Sequence, residues 1–171
     1  MKKSVLGPVG LALGALVSSV PAAATTYDHS MGTAVAACQK GTASGAASYD
    51  WTGMLNSSTT ETMVVECGDF VSWGNSGMPS LDVDAVQVWV WDRSSTANVS
   101  CAMKVVGYAG EVVYSGALQS TTGSNSSQTM ALTWGVPAGI AGLPYVSCSV
   151  PARSGTTGSG VSVLWSWRIQ E

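Results

Sequence analysis

Histidine and phenylalanine occur once each in this chain, and lysine and arginine together only seven times. Each scarcity excludes something. With His29 as the sole imidazole, no two-histidine metal site can form. A Ser-His-Asp triad would have to run through that one residue, and no Gly-x-Ser-x-Gly elbow accompanies it. No Cys-x-x-Cys pair occurs, and successive cysteines are 29, 34 and 47 residues apart, so zinc and dithiol redox spacings are both missing. The few basic residues are not clustered, which argues against nucleic acid or an anionic membrane as partner. No cofactor motif is present. Beyond the N-terminus, no run approaches the roughly 20 apolar residues of a membrane span.

The N-terminus has its own pattern. Lys2 and Lys3 precede an uncharged run, Val5–Val20, followed by Pro21-Ala22-Ala23-Ala24 with small residues where a signal peptidase reads. This is the three-part layout of a secretory signal peptide. The run is short for a membrane span and lacks a basic stop-transfer flank. Residues 1–24 are therefore expected to be a signal peptide cleaved near Ala24, with 25–171 forming one domain secreted to the periplasm or beyond. Losing Lys2 and Lys3 leaves Lys40, Arg93, Lys104, Arg153 and Arg168 against ten acidic residues, a net charge near −5. Solubility must then rest on Ser, Thr, Asn and Gly.

An even set of four cysteines in an exported chain predicts two disulfides, with three pairings open. The remaining sequence reads as short strands between Gly/Ser/Pro turns. Val83–Trp91 (VDAVQVWVW) is the strongest strand. In Ala97–Val106, the side chains of Ala97, Val99, Cys101, Met103 and Val105 alternate with polar ones, the period of a half-buried strand. Met130, Leu132 and Trp134 share a face, as do Val146, Cys148 and Val150, and Val161, Val163, Trp165, Trp167 and Ile169. Cys101 and Cys148 thus face the core. Gln39–Ser48, Gly68–Leu81 and Val136–Pro144 read as loops. This pattern predicts an all-β antiparallel sandwich, with a jelly roll or small barrel as the alternative.

Several pieces in order resemble a group of short exported four-cysteine proteins of Gram-negative bacteria, common in myxobacteria and their relatives. They are Tyr49 to Cys67, with Gly53, Asn56 and Ser58-Thr59-Thr60; Asp92-Arg93-Ser94 followed by Val99-Ser100-Cys101; Gly123, Leu132 and Trp134; Tyr145-Val146-Ser147-Cys148; Pro151; and Arg168-Ile169-Gln170-Glu171. The chain departs from the group with Gly68-Asp69 after Cys67, where a Pro is usual, and with Trp89 and Trp91 where Tyr or smaller residues are more usual. The resemblance implies a β-sandwich with two bridges and carries no activity. It supports pairing Cys38 with Cys67 and Cys101 with Cys148, which also keeps each bridge within one half of the chain. The bridges are expected to clamp the facing sheets.

Seven Trp and five Tyr stand beside the single Phe. Rings with one polar edge suit half-wet positions. Trp89 and Trp91 share one strand face and Trp165 and Trp167 another, opposite Val86, Val88 and Val90 in the first case. Either these rings are covered, or they form an exposed platform that stacks on sugars or anchors an interface. Asp82 and Asp84, with Asp69 or Asp92, could supply oxygens to calcium, although solvated carboxylates account for them more simply. The leading expectation is a non-catalytic binding module for a glycan or an envelope protein. A passive structural protein of the envelope or matrix comes next, and a hydrolytic enzyme last.

Overall fold

A computed structural model describes residues 28–29, 34, 38–42, 45–50, 53–68, 85–107, 109–123, 125–133, 135–137, 140, 142–155 and 160–170. The proposed signal peptide, Asp69, Asp82, Asp84 and Trp134 lie outside the described residues. Among the described residues twelve strands follow in order: β1 Asp28–His29, β2 Cys38–Lys40, β3 Ala47–Asp50, β4 Gly53–Asn56, β5 Met63–Cys67, β6 Ala85–Asp92, β7 Ser100–Val106, β8 Val112–Ser115, β9 Gln119–Ser120, β10 Ser126–Leu132, β11 Leu143–Val150 and β12 Val163–Gln170.

They form two open antiparallel sheets, a sandwich rather than a barrel. The first sheet runs β10-β6-β12-β4-β3, with β1 also on β12; the second runs β2-β5-β11-β7-β8, with β9 also on β7. The last two strands are therefore the centres of the two sheets. The core follows from period-two alternation. Met54, Val86, Val88, Val90, Met130, Leu132, Leu164 and Trp167 of the first sheet meet Met63, Val65, Cys67, Cys101, Met103, Val146, Cys148 and Val150 of the second.

The disulfides pair as expected, Cys38–Cys67 and Cys101–Cys148. Their placement corrects one expectation. Neither clamps facing sheets, because both join neighbouring strands of the second sheet at directly opposed positions, Cys38↔Cys67 on β2/β5 and Cys148↔Cys101 on β11/β7. Cα–Cα separations of 4.1 and 4.0 Å are those of close antiparallel partners. On loop-closure entropy, bridges closing 29 and 47 residues are worth roughly 3.6 and 4 kcal/mol. Two such bonds suit an oxidising compartment, extracellular or periplasmic.

Polar ties join the sheets at one end. Asn56, fully buried at the end of β4, donates to Val150 O at 3.0 Å and Glu61 O at 2.7 Å and accepts from Ser58 N at 3.0 Å. Val150 ends β11, so a side chain of one sheet closes a strand terminus of the other. Asp92 ends β6 and does the same, as described below.

The loops expected over Gln39–Ser48 and Val136–Pro144 are partly strand: β2 ends at Lys40, β3 begins at Ala47 and β11 begins at Leu143. Ala97 is exposed in a loop, and its strand begins only at Ser100.

Candidate functional site

β6 has two faces with different fates. Val86, Val88 and Val90 are buried to within 1% in the core. Trp89 and Trp91 alternate with them and lie on the outer face, half-buried. Their neighbours across the ladder are small: Thr129 and Ser166 beside Trp89, Ser127 and Val163 beside Trp91. Three of these four neighbours carry a hydroxyl, and the fourth, Val163, is buried. Among the described residues Trp89 packs against no other ring.

The tryptophans of β12 do not share a face, which corrects the expectation. The β6/β12 register runs Leu164↔Val90 and then Ser166↔Trp89, so Trp165 is an extra residue, a β-bulge. One inserted residue reverses the phase of everything after it. Leu164 and Trp167 both point inward, at 0% and 1% exposure, while Trp165 stays on the outer face. There it meets Trp91 edge to face, with ring centroids 5.6 Å apart and planes at 88°, a favoured aromatic geometry. Gly53 on β4 makes room for this bulge. A Cβ there would sit 2.2 Å from the Leu164 carbonyl oxygen. The platform is therefore Trp89, Trp91 and Trp165, and Trp167 belongs to the core. The indole N–H groups of Trp91 and Trp165 are shut from solvent and make no hydrogen bond, so packing alone orients these two rings.

Arg93 completes the face. Its Cζ lies 3.7 Å from the centroid of the Trp91 ring, a cation–π stack. The sequence reading placed Arg93 in a turn and missed this role. The available signal was its position two residues after Trp91, the spacing of side chains on one strand face.

The carboxylates do other work. Asp92 is fully buried. Its Oδ1 accepts from Ser162 Oγ at 2.9 Å and Ser94 N at 3.1 Å; its Oδ2 accepts from the Thr121 hydroxyl and from Val99 N at 3.4 Å. Both oxygens are thus occupied by protein donors. Among the described residues no cluster of His, Cys, Asp or Glu could hold a metal ion. His29 lies in β1, opposite Ile169 of β12. On the outer face of the second sheet, Tyr145 is buried, and that burial, followed by the charge of Glu66, pushes its phenol above the ordinary value of 10.0.

A separate cavity of about 280 Å³ opens at the β6–β7 loop, lined by Ser94, Ser95, Thr96, Ala97, Asn98 and Gly123. Its lining is neutral and rich in hydroxyls. Nothing in it resembles a nucleophile with a base.

No protein-family model matches the chain, and no curated protein matches it. Among solved structures, it is similar to the enzymatically active domain of tailspike protein 4 of bacteriophage CBA120, at 11% identity and a TM-score of 0.46. That match covers 78% of this chain and 19% of the tailspike chain, and a likeness at this level says nothing about activity.

Proposed function

We propose that this is an exported, disulfide-stapled binding module without catalytic function, and that its ligand surface is the outer face of the first sheet. Residues 1–24 act as its signal peptide, and it works in the periplasm or outside the cell. One observation carries the reading: Trp89, Trp91 and Trp165 gather on a single half-exposed face, where Thr129, Ser166 and Ser127 are among their ladder neighbours. Flat amphipathic rings on a hydroxyl-rich sheet suit the apolar face of a sugar ring better than an extended hydrophobic partner. The glycan reading therefore stands ahead of the envelope-protein one.

Intrinsic tryptophan fluorescence titrated with a glycan panel tests this. A saccharide should shift or quench the emission. Removing Trp89 should cost about 2 kcal/mol of affinity, as loss of a central aromatic anchor does. No response across the panel would count against sugar binding. A passive structural role has one observation in its favour: Trp91 and Trp165 pack on each other under Arg93, a self-contained arrangement. On that alternative, Trp89→Ala would change no binding signal.

A further inference from the structure

We propose that the tryptophan face takes an acidic saccharide, its ring stacked on Trp89 and its carboxylate held by Arg93. The inference rests on the binding reading above and adds the charge of the ligand. The mature chain carries twice as many acidic as basic residues, yet a cation stands on this face. The Arg93 guanidinium lies 3.7 Å from the Trp91 ring centroid. Stacking engages the flat face of a guanidinium and leaves its in-plane N–H donors directed outward. It also fixes the long side chain, so less freedom is lost when those donors engage a partner.

Among the described residues no carboxylate pairs with Arg93. Its charged neighbour in sequence, Asp92, is turned inward, and both Asp92 oxygens are taken by hydroxyl and backbone donors. Among the described residues, then, the fork is stacked on an aromatic surface and neutralised by no carboxylate. A planar carboxylate is the group such a fork matches with two parallel hydrogen bonds. The spacing suits a sugar acid. Trp89 and Trp91 are two residues apart on one strand face, roughly 7 Å, and the guanidinium stands over Trp91. A pyranose on Trp89 can reach it with a ring carboxylate. A neutral sugar would leave the cation unused.

The test is isothermal titration of the mature chain with tri-galacturonate and, in parallel, the neutral galactotriose, at 50 and 500 mM NaCl. The acidic trisaccharide should bind at least tenfold more tightly than the neutral one, and high salt should shrink that gap. Arg93→Gln should abolish the preference, bringing the acidic sugar to the affinity of the neutral one for that variant. Arg93→Lys keeps the charge, loses the fork and should fall between. Trp89→Ala should weaken both sugars, with circular dichroism confirming that each variant is folded. Equal binding of the two sugars overturns the acidic ligand and leaves stacking intact, whereas a preference that survives Arg93→Gln overturns Arg93 as the group that holds the carboxylate. Binding of neither sugar overturns the saccharide reading itself.

Discussion

Replacing Asp92 tests whether a buried carboxylate, rather than a crosslink, ties the two sheets at their loop end. The residue ends β6 in the first sheet and accepts from Val99 and Thr121, which flank strands of the second, and from Ser162, just before β12. Hydrogen bonds to a charged acceptor are worth roughly 1.5–3 kcal/mol each, so four would suggest a very large loss. The structure limits it. Ser94 N also reaches Ser162 Oγ at 3.2 Å, Val99 N also reaches Thr121 Oγ1 at 3.0 Å, and the Thr121 hydroxyl also reaches Val99 O at 3.3 Å. Only the Ser162 hydroxyl loses its single acceptor. One orphaned hydroxyl, three weakened bonds and a small cavity bring Asp92→Ala to about 3 kcal/mol. Asp92→Asn keeps the shape, and a serine or threonine hydroxyl can turn to accept from the new amide, so about 1–2 kcal/mol is expected. Urea denaturation at neutral pH reads both, with the slope m unchanged, and the Ala variant should melt roughly 6–12 °C lower. A cost below about 1 kcal/mol for Asp92→Ala would refute the tie. Equal costs for Ala and Asn would refute the neutral-donor account and require a cation at the carboxylate.

Two further outcomes follow from single residues. Gly53→Ala should destabilise by about 2–3 kcal/mol, since its new methyl meets backbone, the Leu164 carbonyl oxygen at 2.2 Å, and cannot be relieved by a rotamer change. The near-ultraviolet dichroism of the Trp91–Trp165 pair should change with it; an unchanged spectrum and midpoint would show that the bulge does not need this glycine. Tyr145 should ionise above the ordinary 10.0 when followed at the phenolate absorbance. Because the folded chain holds this proton more tightly than the unfolded one, its contribution to stability is complete below pH 10 and is lost as pH rises beyond it. Glu66→Gln should lower that titration only partly, burial being the larger cause. A full return to the ordinary value would contradict that order.

Alternation was legible where it met no interruption. Val86, Val88 and Val90 against Trp89 and Trp91, and Val146, Cys148 and Val150, fall on the faces their spacing predicts, because a sheet with one buried face fixes its register strongly. The final strand was misread for a physical reason. Val161, Val163, Trp165, Trp167 and Ile169 read as one stripe, and the residue that breaks the stripe is Trp165 itself, accommodated by a glycine on a different strand. Nothing local to β12 announces that. β2, β3 and the start of β4 were lost among Gly, Ala and Ser, whose strand propensity is weak. Pairing holds them in place, β2 on β5, β4 on β12 and β3 on β4. The orientation of the disulfides depended on sheet order, which cysteine spacing does not encode.

The two sheets divide their tasks. The second carries both covalent bridges, β2 to β5 and β7 to β11, and its centre is buried on both faces: Ser147 and Ala102 are nearly as inaccessible as Cys148 and Cys101. The first has no crosslink, contains the bulge, and presents three tryptophans and Arg93 on its outer side. What holds it is its inner face, where Leu164 and Trp167 lie beside Val86, Val88 and Val90, together with the ties at Asn56 and Asp92. Substitutions at Trp89 touch neither, since its ladder neighbours are Thr129 and Ser166 and its side chain lies outside the core. The proposed ligand face and the stabilising face are therefore opposite sides of one strand, β6. This is why a Trp89 variant can separate a ligand surface from an ornament of the fold, and a Trp167 variant cannot.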